Sequence, residues 1–94
     1  MVIEAKHIVV HGKVQGVGFR YFAQRTGSRL ELAGNVRNCP DLTVEIVVEG
    51  ESGKVEAFIK AMEKGPSAAR VERLEIQDID PRGDYNAFLI EGWK

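Results

Sequence analysis

Three glycines and an arginine lie close together in Gly12-Lys13-Val14-Gln15-Gly16-Val17-Gly18-Phe19-Arg20, and no other stretch of the chain is so suited to chemistry. Glycines with a free choice of φ let a loop curl until successive backbone N–H groups point inward, which makes a concave nest for an anion. A helix beginning at the far end of that loop adds unpaired N–H groups and the positive end of its dipole. Arg20 supplies a planar fork of donors that matches two phosphate oxygens. The physical reading is a phosphate cradle. The same glycines also fit a plain turn, so the surrounding sequence has to decide between the two.

Two nucleotide-binding patterns are excluded. No Gly-Lys-Ser/Thr closes the loop, so it is not a Walker-type loop. The dinucleotide fingerprint needs a third glycine where Tyr21 stands, and it needs a parallel sheet that the element order does not provide. Charge points the same way as the cradle. From Ala5 through Leu30 there is no Asp or Glu, while Lys6, Lys13, Arg20, Arg25 and Arg29 all fall there. Such a segment focuses positive potential on a small anion, although the net charge of −1 alone suggests no polyanionic partner.

The elements that would position the loop follow from periodicity. Lys6 to His11 alternates Ile8 and Val10 with His7, Val9 and His11, a strand with one apolar face. Phe19, Phe22, Ala23, Thr26 and Leu30 form the stripe of a helix, with Gly27 inside it at a cost of about 1 kcal/mol relative to alanine. Asn35 to Asn38 reads as a short second strand, stopped by the turn residues Cys39-Pro40-Asp41. Thr43 to Gly50 is a third strand with Val44, Ile46 and Val48 on one face and Thr43, Glu45, Val47 and Glu49 on the other. Ser52 is the expected N-cap of a second helix whose buried stripe is Val55, Phe58, Ile59 and Met62, ended by Gly65-Pro66. Val71 to Asp80 is a fourth strand with Leu74 and Ile76 inward and a bulge or an end at Ile79. After a turn at Pro81-Arg82-Gly83-Asp84, Ala87 to Glu91 makes a last short strand with Phe88 and Ile90 inward.

The order β-α-β-β-α-β plus a terminal strand predicts a ferredoxin-like α+β sandwich: an antiparallel sheet with two helices on one face. The 94 residues suit one domain spanning 1–94, with 44% hydrophobic and 29% charged residues arguing against disorder. The single Cys39 rules out an internal disulfide and fits a reducing compartment. Glu4 interrupts the N-terminal apolar stretch, no run is long enough to span a membrane, and a cytoplasmic protein is expected.

Beyond these readings, the chain resembles a known family. Gly12 through Arg20 is similar to the first signature of the acylphosphatases, and Gly34-Asn35-Val36-Arg37-Asn38, continuing from Val44 to Gly50, to the second. Gly65-Pro66-Ser67-Ala68-Ala69-Arg70-Val71 and Phe88-x-Ile90 fit the same pattern. The resemblance implies that Gln15, Gly16, Val17, Gly18, Phe19 and Arg20 bind phosphate, that Arg20 holds it, and that Asn38 positions the attacking water. It also implies the ferredoxin-like fold and hydrolysis of acyl phosphates without cofactor. Read without that context, Asn38 fits a strand end or an Asx-turn before Cys39-Pro40.

The implied chemistry is physically coherent. The leaving group of an acyl phosphate is a carboxylate, stable at neutral pH, so no strong general acid is needed. Catalysis reduces to placing water in line with phosphorus and stabilising the phosphoryl oxygens. Backbone amides and Arg20 suit the second task, and a neutral amide such as Asn38 can hold water without competing as an anion. The loop offers no carboxylate to a metal. As the resemblance suggests, the substrate's own phosphate can take the water's proton. Inorganic phosphate is the expected product and inhibitor, and a monomer the expected state.

Two positions depart from the family pattern: Asn35 stands where an aromatic residue is usual, and Leu42 where a turn glycine follows the Asp. Leucine there implies strain or another turn type, and hence a shifted hairpin or lower stability. The other candidate residues offer less. His7 and His11 share a face but stand roughly 13 Å apart at strand rise, too far for one metal ion. Arg25 and Arg29 fit a solvated helix face, Cys39 a bland loop thiol, and Trp93 a cover over the sheet or a flap over the site. The rival function is a non-catalytic phosphate- or acyl-phosphate-binding module, including a cousin of the acylphosphatase domain of carbamoyl-phosphate-handling maturation proteins. The chain's length favours a free-standing enzyme. RNA recognition would need aromatics where Glu45 and Glu49 stand, so no nucleic-acid partner is expected.

Overall fold

The computed structural model describes residues 2–83 and 86–92. Asp84 and Trp93, assigned above to a turn and to a cover or flap, lie outside them. The elements run β1 (Ile3–Lys13), α1 (Phe19–Arg29), β2 (Ala33–Asn38), β3 (Val44–Glu51), α2 (Ser52–Lys64), β4 (Arg70–Ile79) and β5 (Phe88–Ile90). They form a five-stranded sheet in the order β4-β1-β3-β2-β5. The β1–β3, β1–β4 and β2–β3 pairs are antiparallel, as the element order predicts. The β2–β5 pair is parallel, which corrects the expectation of a wholly antiparallel sheet. The reason is the connection: the chain leaves β4 at one edge and re-enters at the opposite edge alongside β2. Glu49 holds that connection, accepting backbone N–H bonds from Arg82 and Gly83 at 2.9 Å each. Glu49, placed by parity on the open face, is buried for this reason.

One core lies between the helices and the sheet. Ile8, Val10, Val36, Val44, Ile46 and Val48 from the strands meet Phe19 and Ala23 of α1 and Val55, Phe58 and Met62 of α2, all buried. Phe88 closes it from β5, with its ring 5.4 Å from that of Phe58. Gly27 sits against this ring: a Cβ there would come within 2.4 Å of Phe88 Cδ2. The glycine that weakens α1 as a helix is what lets it approach β5.

The edges depart from the parity reading. Ile76 on β4 and Ile90 on β5 pair with the buried Ile8 and Val36, yet are 43% and 38% exposed, because the edge strands reach beyond the cover of two helices. Leu74 is half-buried against the core. β4 ends at Ile79 as expected, whereas the sheet irregularity lies elsewhere, where the register passes from His11↔Arg73 to Gly12↔Val71. Helix α2 is capped not by Ser52 but by Glu51, whose side chain accepts from the Lys54 N–H at 3.2 Å.

Candidate active site

The loop from Val14 to Gly18 joins β1 to α1. Gly16 and Gly18 have φ of 74° and 78°, the left-handed region that a nest requires. A Cβ at either would meet nothing within 4 Å, so it is the backbone angle and not space that calls for glycine. Gly18 is also the N-cap of α1, and among the described residues no side chain caps that terminus and no acid occupies its first turn. The first hydrogen bond of the helix runs from the Phe22 N–H to the Gly18 carbonyl at 3.0 Å, leaving the preceding amides of the turn for another acceptor. The acid-free segment noted in the sequence therefore surrounds an uncapped, positive helix end.

Asn38 reaches the same place from the end of β2. It is 7% exposed, pairs with Val44 of β3 and makes no side-chain hydrogen bond to another described residue. A recess of about 110 Å³ is lined by Val14, Gly16, Gly18, Phe19, Arg20, Tyr21 and Asn38. Of the residues singled out in the sequence, Gly16, Gly18, Phe19, Arg20 and Asn38 thus meet around one cavity. Val17 does not line it and packs against the core instead.

The Gln15 side chain points elsewhere. Its Nε2 donates to the Cys39 carbonyl at 2.8 Å and to the Thr43 carbonyl at 2.9 Å, tying the loop to the β2–β3 hairpin. In that hairpin the Leu42 N–H bonds the Cys39 carbonyl at 3.0 Å, and the Cys39 N–H bonds the Thr43 carbonyl at 2.9 Å. Leu42 takes φ of 75° and lies 66% exposed. The turn therefore keeps the left-handed position that glycine normally fills, and the alternative of another turn type is set aside in favour of strain. Asp41 braces the turn by accepting from the Thr43 hydroxyl at 2.6 Å and from its N–H at 3.1 Å. Those two bonds hold the Asp41 carboxyl below its ordinary range.

Arg20 is half-buried, and its Nη1 donates to the Glu91 carbonyl at 3.1 Å. Glu91 is itself fixed just beyond β5: its N–H bonds the Val36 carbonyl at 2.9 Å, and its carboxylate accepts from Asn35 Nδ2 at 3.1 Å. The Asn35 departure is accommodated by this polar contact across the β2–β5 pair. Sequence reasoning missed Tyr21 and Val14 as lining residues and Glu91 as the brace of Arg20. The first two flank the glycine loop directly, whereas the third depends on a strand register that no local pattern encodes.

The histidines lie away from the recess. His7 Nε2 is 2.8 Å from Glu45 and His11 Nε2 is 3.3 Å from Glu75, each on its own carboxylate. Among the described residues no group of three or more His, Cys, Asp or Glu could hold a metal ion. Among the described residues no helix is long and apolar enough to cross a membrane. Arg25 and Arg29 are exposed, and Cys39 is half-buried.

Comparison with known proteins completes the description. The acylphosphatase family model matches residues 6–90. The chain belongs to the acylphosphatase family. An acylphosphatase of Anaeromyxobacter dehalogenans is 51% identical over 83 residues, 88% of this chain and 89% of the relative. The crystal structure of the acylphosphatase from Bacillus subtilis matches with a TM-score of 0.90 at 33% identity, covering 96% of this chain and 99% of that one. Full-length HypF in its phosphate- and nucleotide-bound form matches with a TM-score of 0.90 at 33% identity, over 98% of this chain but 12% of that one. Together these relatives favour an acylphosphatase enzyme over the non-catalytic binding module.

Proposed function

We propose that the recess hydrolyses small acyl phosphates to carboxylate and inorganic phosphate without a metal ion, as one domain spanning 1–94. The phosphoryl group sits in the Gln15–Arg20 loop, with its oxygens on the loop amides, the uncapped end of α1 and the Arg20 guanidinium. Asn38 holds a water on the far side of phosphorus from the acyl oxygen. The water oxygen forms the new bond to phosphorus as the bond to the acyl oxygen breaks. The electron pair leaves with the carboxylate, and the water's proton passes to a phosphoryl oxygen. Tyr21, which lines the mouth, lies on the route of the acyl group.

The observation that carries this reading is the convergence of Arg20, the α1 terminus and a buried Asn38 on one small recess that, among the described residues, no carboxylate lines. Among the described residues a metal has no anionic ligand there, and a carboxylate leaving group needs none. Product phosphate carries the group that the cradle recognises and acts as a competitive inhibitor. The protein works as a cytoplasmic monomer with neither nucleic-acid nor membrane partners, in keeping with its near-neutral net charge.

The test is benzoyl phosphate hydrolysis by purified protein in excess chelator, repeated with Arg20→Ala and Asn38→Ala. Each substitution is expected to lower kcat by about 10²–10³-fold, the scale for removing one preorganised donor from a developing charge. Turnover that survives both substitutions in folded protein would remove the site assignment.

A further inference from the structure

We propose that Gln15 is a positioning residue whose carboxamide locks the phosphate cradle to the hairpin carrying Asn38, and so sets the water-holding amide relative to the bound phosphoryl group. This inference rests on the hydrolytic reading above and assigns Gln15 a task other than touching phosphate.

Gln15 directly precedes Gly16, and Cys39 directly follows Asn38. The two donor hydrogens of the Gln15 amide nitrogen go to the Cys39 and Thr43 carbonyls, at 2.8 Å and 2.9 Å. Neither is left for an anion, since a primary amide has only two. The same two carbonyls already close the turn, one receiving the Leu42 N–H and the other the Cys39 N–H. A single side chain therefore grips both sides of the hairpin just beyond Asn38. Val14, Val17 and Phe19 pack the loop against the core, but Gly16 and Gly18 have open space around them and no side chain of their own to fix their place relative to the hairpin. In-line attack tolerates little of that freedom: a misplacement of about 1 Å costs on the order of 10²-fold in rate.

The test is a double-mutant cycle on benzoyl phosphate hydrolysis in excess chelator, with enzyme in excess over substrate so that slow variants can be read. Gln15→Met keeps the length of the side chain and removes both donors. It is expected to lower kcat by about 10–10²-fold while the inhibition constant for inorganic phosphate stays within about twofold, because the anion site itself is intact. On the Asn38→Ala background the same substitution is expected to cost almost nothing, since there is no longer a water-holding amide to misplace. On Arg20→Ala it is expected to retain its full effect. Circular dichroism confirms folding of each variant. If Gln15→Met does not fold, Gln15→Asn, which keeps the donors but draws them back by one methylene, is taken through the same cycle.

A rise in the phosphate inhibition constant matching the loss in kcat/KM would make Gln15 a direct phosphate ligand and overturn the inference. A loss equally large with and without Asn38 would also overturn it, by showing general damage. A wild type without turnover would overturn the hydrolytic reading and this inference with it, whereas turnover with additive losses overturns this inference alone.

Discussion

Leu42 and Glu31 are the two non-glycine residues at positive φ among those described, at 75° and 60°. Each lies between two elements. Leu42 closes the hairpin turn after Asp41, and Glu31 follows α1 where the Leu32 N–H bonds the Gly27 carbonyl at 2.9 Å and the Glu31 N–H the Ser28 carbonyl at 3.0 Å, a Schellman arrangement. For an L-residue the left-handed region costs roughly 1–2 kcal/mol. Leu42→Gly is therefore expected to stabilise the protein by about 1 kcal/mol in denaturant titration, part of the relief being offset by the freer unfolded chain. A hundredfold gain in catalysis from the same change, with no change of fold, would mean that the strained turn limits Asn38 rather than stability alone. Glu31→Gly should stabilise by a similar amount, because the ion pair it gives up with Lys54 is exposed and contributes little.

At the scale of elements, α1 and β5 show where composition misleads. A glycine inside a helix reads as a weakness, and Gly27→Ala would be expected to strengthen α1 by about 1 kcal/mol on propensity alone. The Phe88 ring reverses the sign. With Cδ2 only 2.4 Å from the new methyl group, overpacking should destabilise by about 1–3 kcal/mol, read as a lower midpoint of thermal unfolding. The order of elements, the buried stripes of both helices and the core positions of β1 and β3 were legible in the sequence because each is a local periodicity. Less legible were features set by distant partners. The parallel docking of β5, the exposure of Ile76 and Ile90 at uncovered edges and the burial of Glu49 beneath residues 82–83 all depend on which strand lies next to which. The site divides in the same way. The glycine loop and Arg20 could be named from their types and spacing, whereas Asn38 was named only through the family resemblance. The side-chain bonds of Gln15 and the Glu91 carbonyl that braces Arg20 needed the hairpin and the β2–β5 register.

For the molecule as a whole, charge separates stability from catalysis. On the sheet face, burial pushes the Glu45 carboxyl up, but hydrogen bonds from His7 and Arg37 outweigh it and bring the group below its ordinary value of 4.5. A carboxyl that titrates lower in the folded state than in the unfolded chain contributes stability fully above the unfolded value, and loses it as pH falls through the folded one. Glu45→Gln should accordingly flatten part of the stability loss as pH falls below the ordinary carboxyl value of 4.5, measured by urea unfolding at each pH. The recess holds no carboxyl, imidazole or thiol among its described lining residues. The rate profile from about pH 5 to 8 should then show only the ionisation of the substrate's phosphate; a bell with an enzyme-borne base would count against Asn38 as the water holder. In the hydrolytic reading, water attacks phosphorus in this recess with no metal taking part. That step is tested most directly by turnover of benzoyl phosphate in heavy-oxygen water with excess chelator. The expected result is hydrolysis with the heavy oxygen carried entirely by inorganic phosphate. Heavy oxygen in the benzoate, or no turnover above buffer, would contradict it.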